Sequence, residues 1–196
     1  MEEPETKWAV SPFTGTSLDG CEAQHLNAHE LDETLGIALN KVERNCSTLY
    51  GIVLRSPGGS RVQPQHVHVS PEGGLHGDRW SAGKAKLGDQ VSMMNVDVAH
   101  AMANDQSVVL FGDNLFTRLD LSEEALPVGA QLQVGTTILR VSETPHVPCG
   151  QFRGRFGAAA FRRAAKQPRL RGIYLTVMQG GEIQIGDEII VQPPIS

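Results

Sequence analysis

Apolar positions change their period once along this chain, and the change divides it. Between residues 21 and 43, Leu26, Leu31, Leu35 and Leu39 recur at near-helical spacing with polar residues between them. That spacing predicts an amphipathic helix, with Asp19 or Gly20 as its start and Gly36 as a weak point. From residue 48 the pattern becomes short β runs broken by glycine. Leu49–Arg55 reads as a strand, followed by the turn Ser56-Pro-Gly-Gly-Ser60. Arg61–Val69 alternates, but Pro64 argues for a sheet edge or a bulge. Val91–Asn95 reads as a buried strand, and Asp97 as the N-cap of a short helix through Ala103. Ser107–Phe111 and Leu115–Leu119 are β runs flanking a Gly-Asp-Asn turn. Gln131–Val134 and Thr137–Val141 flank Gly135-Thr136, a two-residue hairpin signal. Ala158–Lys166 is a short alanine-rich helix. Ile173–Met178 and Glu182–Ile185 flank a Gly180-Gly181 turn, and Glu188–Gln192 is the last strand.

Many short strands with glycine turns predict a mainly β protein, a barrel or sandwich with a few short helices. The chain divides into an N-terminal arm and helical extension, residues 1–47, and a β domain, residues 48–196. Residues 1–20 are rich in Pro, Gly, Ser, Thr and acid and read as an arm or loop. The helix of the extension could pack on the β domain or form a homodimer contact; its periodicity leaves both open.

Composition narrows the class. A chain of 196 residues, 40% hydrophobic, suffices for one core. Its net charge of −5 disfavours a broad nucleic-acid surface but permits a local basic pocket. Aromatic content of 5% makes base-stacking platforms scarce. The cysteines are Cys21, Cys46 and Cys149, an odd number without CxxC spacing, which argues against a zinc site or a disulfide framework. Reduced thiols in a cytoplasmic protein are the default. The acidic N-terminus lacks the apolar stretch of a signal peptide, and no run is long enough to span a bilayer. No membrane association is expected.

Candidate chemistry centres on Cys149, in Thr144-Pro-His-Val-Pro-Cys-Gly150 after the last strand of the hairpin. Proline before it and glycine after it suggest an irregular turn, with the sulfur at a strand end. Nearby Arg153 and Arg155 favour a reactive thiolate; an inert buried thiol is the alternative. The basic content from Arg153 to Arg171 suggests an anionic group such as phosphate near the cysteine, although Arg162, Arg163 and Lys166 read as a solvated helix face. In Gly73-Gly-Leu-His-Gly-Asp-Arg79, glycines allow close backbone approach to a ligand, with His76, Asp78 and Arg79 as polar groups; an ordinary turn is the other reading. Asn114, in Phe111-Gly-Asp-Asn-Leu115, suits a heterocycle edge or phosphate, or a plain β-turn. His25 and His29 stand four apart and could grip a metal, but a solvated helix face explains them better. His66 and His68 would share a strand face and lack a third ligand nearby in sequence.

Taken together, Gly-Leu-His-Gly-Asp-Arg at 74–79, Phe-Gly-Asp-Asn-Leu at 111–115, Pro-Cys at 148–149 and Arg171-Gly-Ile-Tyr-Leu-Thr-Val177, with the run Gly181–Val191, resemble the MOSC domain family. The family takes its name from the C-terminal domain of molybdenum cofactor sulfurase. The resemblance covers roughly residues 48–192 and implies a closed β-barrel. It places the functional sulfur at Cys149. In one family role this thiolate ligates molybdenum in a bound molybdopterin cofactor, and the enzyme reduces N-hydroxylated compounds. In the other it carries sulfur as a persulfide received from a pyridoxal-phosphate-dependent cysteine desulfurase. Thiolate chemistry suits both.

By family position, Asn114 contacts the pterin or its phosphate, and Asp89 and Gln90 lie on the metal side. His76, Gly77, Asp78 and Arg79 shape the same pocket, with Arg153 available to the phosphate. Trp80 stands where many members have histidine, and the lysine-rich loop 81–88 maps poorly. His146 could act as an acid or thiolate partner, or simply end a strand. A reductase of this kind takes a small-molecule substrate and needs a separate electron-donor protein, since no ferredoxin-type cysteine cluster is present. Pyridoxal phosphate belongs to the desulfurase partner, because no lysine here has a Schiff-base context. A module that stores or delivers the cofactor without turnover is a third reading.

Overall fold

The computed structural model describes residues 10–192 except 12, 14, 16 and 83–86. The acidic N-terminal stretch and half of the lysine-rich loop after Trp80, with both its lysines, lie outside the described residues. In chain order the strands are β1 (Cys46–Ile52), β2 (Leu54–Arg55), β3 (Arg61–Val62), β4 (His66–Ser70), β5 (Gly74–Leu75) and β6 (Val91–Asn95). They continue as β7 (Leu115–Thr117), β8 (Gln131–Val134), β9 (Thr137–Val141), β10 (Ile173–Gln179), β11 (Gly181–Gln184) and β12 (Glu188–Val191). The helices are α1 (Ala28–Leu39), α2 (Val96–Ala103) and α3 (Gly150–Lys166).

Seven strands close a barrel in the order β1-β12-β8-β9-β10-β6-β7. β6 and β7 pair in parallel and the other barrel neighbours are antiparallel. Alternating side chains fill the barrel: Leu132 and Val134 of β8, Leu139 and Val141 of β9, Leu175 and Val177 of β10. β6 departs from alternation and is buried throughout. Val91 and Met93 belong to the barrel core, while Met94 belongs to a second core under the helices. A strand covered on both faces reads as a continuous apolar run.

That second core joins α1, α2 and α3 to the barrel wall through Val53, Phe116 and Met94. Leu31 and Leu35 of α1 are each 1% exposed, and each contributes about 1.5–3 kcal/mol of burial. The first predicted helix begins later than its apolar spacing suggested. Asn27 caps it, accepting from the backbone of His29 and Glu30, while the Glu30 carboxylate accepts from the Asn27 N–H at 2.9 Å. This reciprocal pair satisfies N-terminal donors that Asp19 or Gly20 would have left distant. Asn95, not Asp97, caps α2, accepting from Val98 N at 3.1 Å. The Asp97 carboxylate instead pairs with Arg118 Nε at 3.0 Å.

Ser107–Phe111 is not a strand. Val108–Phe111 forms a buried 3-10 turn with Ser107 at its start. At Gly180 the chain changes sheets: β10 stays in the barrel, and β11 crosses to a three-stranded sheet with β4 and β5. A Cβ on Gly180 would stand 2.6 Å from Val69 O, so the crossing needs glycine. Among the described residues no helix is long and apolar enough to cross a membrane. The three cysteines are exposed and unpaired.

Candidate functional site

Arg55 ends β2 and meets Asp78 in the turn after β5. Arg55 Nε donates to Asp78 Oδ2 at 3.0 Å, Nη2 to Oδ1 at 2.8 Å, and the Arg55 backbone N–H to Oδ2 at 2.8 Å. Burial alone would raise the Asp78 carboxyl, but the hydrogen bonds and charge of Arg55 outweigh it and hold it below its ordinary value. Asn114, fully buried, completes this floor. Its Nδ2 donates to Val53 O and to Asp78, both at 3.0 Å. Its Oδ1 accepts from Ser92 N, Ser92 Oγ and Arg55 Nη2. Asn114 therefore ties β6, β7 and the Arg55 segment together, and its contact with the space above runs through Arg55.

Above the floor lies a cleft of about 570 Å³ lined by Arg55, Pro57, Arg79, Trp80, Asp89 and Tyr174. That volume lies within the range of small-molecule sites. Positive charge is concentrated around it. Burial, and then the guanidiniums of Arg155, Arg79 and Arg55, push Arg61 down to about 10. Arg61 remains charged at neutral pH, so the shift records crowding of cations. Its Nε is buried without a hydrogen-bond partner among the described residues. Its Nη2 stands 3.1 Å from where a Cβ on Gly112 would lie. Asp78 is matched to Arg55, and the guanidiniums of Arg61 and Arg79 crowded beside that pair favour an anionic ligand.

Tyr174 connects the cleft to the cysteine segment. Its ring stacks on His146 with centroids 4.1 Å apart at 30°. His146 is buried, and burial pushes its imidazole down to about 3 despite the opposing charge of Asp113. Its Nδ1 lies 3.5 Å from Asp113 Oδ1, within ion-pair distance; with the imidazole neutral, it is a dipole beside a carboxylate. The other Asp113 oxygen pairs with Arg171 Nη1. Arg171 Nη2 donates to Phe111 O at 3.2 Å, and the guanidinium lies over the Phe111 and Phe152 rings. Burial, and then Asp113, raise the Tyr174 hydroxyl above its ordinary value, keeping it a neutral hydrogen-bond donor.

Three residues after His146, Cys149 is exposed and occupies the N-cap of α3 without a side-chain capping hydrogen bond. It sits at a helix start rather than at a strand end, because residues 142–148 separate it from β9. Backbone dipoles at such a position favour negative charge. The basic stretch after it is the first part of α3. Phe152 and Phe156 turn inward, and Phe156 stacks on Phe111 at 4.0 Å. Arg153 stays exposed, one turn from Cys149. Arg155 pins the N-terminal strap, donating to Leu18 O at 2.7 Å and Leu110 O at 2.8 Å. Gly157, at φ 86° and ψ 171°, breaks α3 before the predicted helix at Ala158.

Of the residues singled out in sequence, the fold brings Arg79 and Asp89 to the cleft, with Asp78 and Asn114 beneath it. Gly77 takes φ +89° in the turn leading to Asp78. Gln90 is buried as a clamp, its Nε2 donating to Pro71 O and its Oε1 accepting from Val177 N. His76 lies outside the cleft lining, in the turn just after β5, with Ser70 Oγ at 3.1 Å from its Nε2 and His68 edge-on at 4.5 Å. His68 pairs with Glu182, and His66 is exposed. His25 precedes α1 and contacts Arg155 O, while His29 pairs with Glu33 on the surface. No group of three or more His, Cys, Asp or Glu among the described residues could hold a metal by itself. Sequence reasoning missed Arg55, Arg61, Asp113 and Tyr174. A lone arginine closing an apolar strand was the one signal for Arg55.

The MOSC domain family model matches residues 89–190, just over half of the chain. The YuaD protein of Bacillus subtilis superposes with a TM-score of 0.61 at 18% identity, over 78% of this chain and 99% of that one. YiiM of Escherichia coli gives a TM-score of 0.52 at 18% identity, over 74% of this chain and 71% of that one. Among curated protein sequences there is no match.

Proposed function

This chain belongs to the MOSC domain family, and on that premise we propose that it binds the molybdenum cofactor and reduces N-hydroxylated small molecules. Cys149 is the molybdenum ligand in this reading. The observation that carries it is one stacked pair: Tyr174, which lines a cleft of about 570 Å³ shared with Arg55 and Arg79, stacks on His146, three residues before the exposed thiol of Cys149.

The residues fit the group. Arg55, Arg79 and Arg61 suit its phosphate, and a thiolate is a soft ligand suited to a metal–sulfur centre. When bound, the metal centre supplies two-electron redox chemistry. The reaction takes two electrons and two protons, breaks the N–O bond, and releases the amine and water. Asp78 keeps Arg55 in one orientation, and Tyr174 offers a neutral hydroxyl to the cleft. The electrons come from a separate donor protein, since three single thiols cannot hold an iron–sulfur cluster.

The exposure of Cys149 supports a second reading, a sulfur carrier, because a partner desulfurase must reach the sulfur. The test uses protein purified from cells able to make the cofactor, with a chemically reduced dye as donor and an N-hydroxylated amidine as substrate. Turnover in wild type, reduced at least 100-fold in Cys149→Ser, supports the reductase. Absence of turnover, together with a persulfide on Cys149 after incubation with a cysteine desulfurase and free cysteine, replaces it with the carrier. Cofactor bound without either activity leaves a storage or delivery module.

A further inference from the structure

Trp80 is held from three directions. Its backbone N–H donates to Asp78 Oδ1 at 3.0 Å, so the carboxylate that clamps Arg55 also sets the Trp80 backbone. Its indole lies on the backbone of Gly74, where φ is +61° and a Cβ would stand 3.2 Å from Cε3. Any side chain at position 74 would be strained and would push the ring away. The indole N–H donates to Asp89 Oδ1 at 3.1 Å. Asp89 makes no other side-chain hydrogen bond among the described residues, is partly exposed, and lines the cleft together with Arg55, Arg79 and Tyr174.

An aspartate on a cleft wall rotates freely unless something holds one of its oxygens. A carboxylate held through Oδ1 keeps Oδ2 in a fixed direction and gains specificity by preorganisation. The cleft then has two poles: guanidiniums that take acceptors, and one fixed carboxylate that takes donors. The aromatic faces of Trp80 and Tyr174 suit a planar ligand.

From this geometry we infer that Trp80 is a positioning residue: it orients Asp89 as the acceptor pole of the cleft, which selects planar ligands bearing N–H donors such as amidines and amino-heterocycles. The inference rests on the proposed function for the identity of its ligand, with the Trp80–Asp89 end of the cleft taking the substrate and the arginine end the cofactor phosphate. It concerns selection of the ligand and assigns Trp80 no contact with the reacting atoms.

Benzamidine is a suitable probe, being planar, rich in N–H donors and inert to N–O reduction. Its binding is measured by calorimetry on wild type, Trp80→Phe, Trp80→His, Asp89→Asn and the double variant Trp80→Phe/Asp89→Asn, all purified from cofactor-producing cells. Benzoate serves as a planar control without N–H donors. Trp80→Phe keeps a ring and removes the N–H, and should weaken benzamidine about tenfold while leaving benzoate unchanged. Trp80→His, which retains an N–H, should recover part of the loss. In the Asp89→Asn background, Trp80→Phe should add nothing, because its effect runs through Asp89. Equal losses in both backgrounds, or benzamidine affinity unchanged in Trp80→Phe, overturn the inference. In a Trp8→Phe background the fluorescence belongs to Trp80 alone, since the chain has two tryptophans. Saturable quenching by benzamidine then reports binding at the cleft, and its absence also overturns the inference. Molybdenum bound without selective benzamidine binding refutes this inference and spares the proposed function; the converse result refutes the function and spares the inference.

Discussion

Arg55 and Asp78 face each other through two parallel hydrogen bonds under the cleft, with Asp78 1% and Arg55 13% exposed at the side chain. Both Trp80 and Asn114 bond to the same carboxylate. The floor of the site is thus one ion pair with neighbours built onto it. Removing one member leaves a buried charge unpaired, which is costlier than the pair is stabilising. Asp78→Ala should lose about 3–5 kcal/mol in urea unfolding. Arg55→Lys keeps the charge, loses the fork, and should lose less. A loss below about 1 kcal/mol for Asp78→Ala would show that the pair does not hold the floor.

His146 makes stability depend on pH in a defined window. Its imidazole is near 3 when folded, because of burial, and near 6.5 when unfolded. The unfolded chain therefore binds the proton first as pH falls below about 6.5, and stability drops toward pH 3. His100, also lowered by burial, adds in the same direction. Asp78 acts only below its unfolded value of 3.8, since its folded value is depressed. His146→Phe keeps a ring for Tyr174 and removes the titration. Its unfolding midpoint should change less between pH 6.5 and 4 than that of wild type. An unchanged pH slope would place the imidazole in solvent instead of the core.

Gly157 sets where the first part of α3 ends. At φ 86° and ψ 171° it occupies a region open essentially to glycine, and a Cβ there would stand 2.9 Å from His25. Gly157→Ala should cost about 2 kcal/mol or more. It should also change the rate at which Cys149 reacts with iodoacetamide, measured in a Cys21→Ser/Cys46→Ser background. A neutral substitution would contradict the kink as a fixed feature.

Barrel strands whose two faces meet different environments were legible in the sequence. Gln131–Val134 and Thr137–Val141 agree residue for residue with β8 and β9, because alternation and a Gly-Thr turn both specify a hairpin. Val108–Phe111 misled, since a short apolar run reads alike as a buried strand or a buried turn. Asn95 and Asp97 are both good caps, and only the fold shows that Arg118 takes the Asp97 carboxylate. The candidate cleft was legible where its residues fall in one connection, as Asp78, Arg79 and Asp89 do between β5 and β6. Arg55, Arg61, Asp113 and Tyr174 come from separate elements that barrel closure and the flanking turns bring together, and no local spacing reveals such a meeting.

We propose that Cys149 holds molybdenum beside the arginine-lined cleft. The most direct measurement is elemental analysis of wild type and Cys149→Ala purified from cells that make the cofactor. The prediction is molybdenum near one per chain in wild type and its loss in the variant, with the secondary structure retained by circular dichroism and the unfolding midpoint lowered only as far as loss of a bound group requires. Molybdenum absent from both proteins, or retained equally in Cys149→Ala, would contradict it.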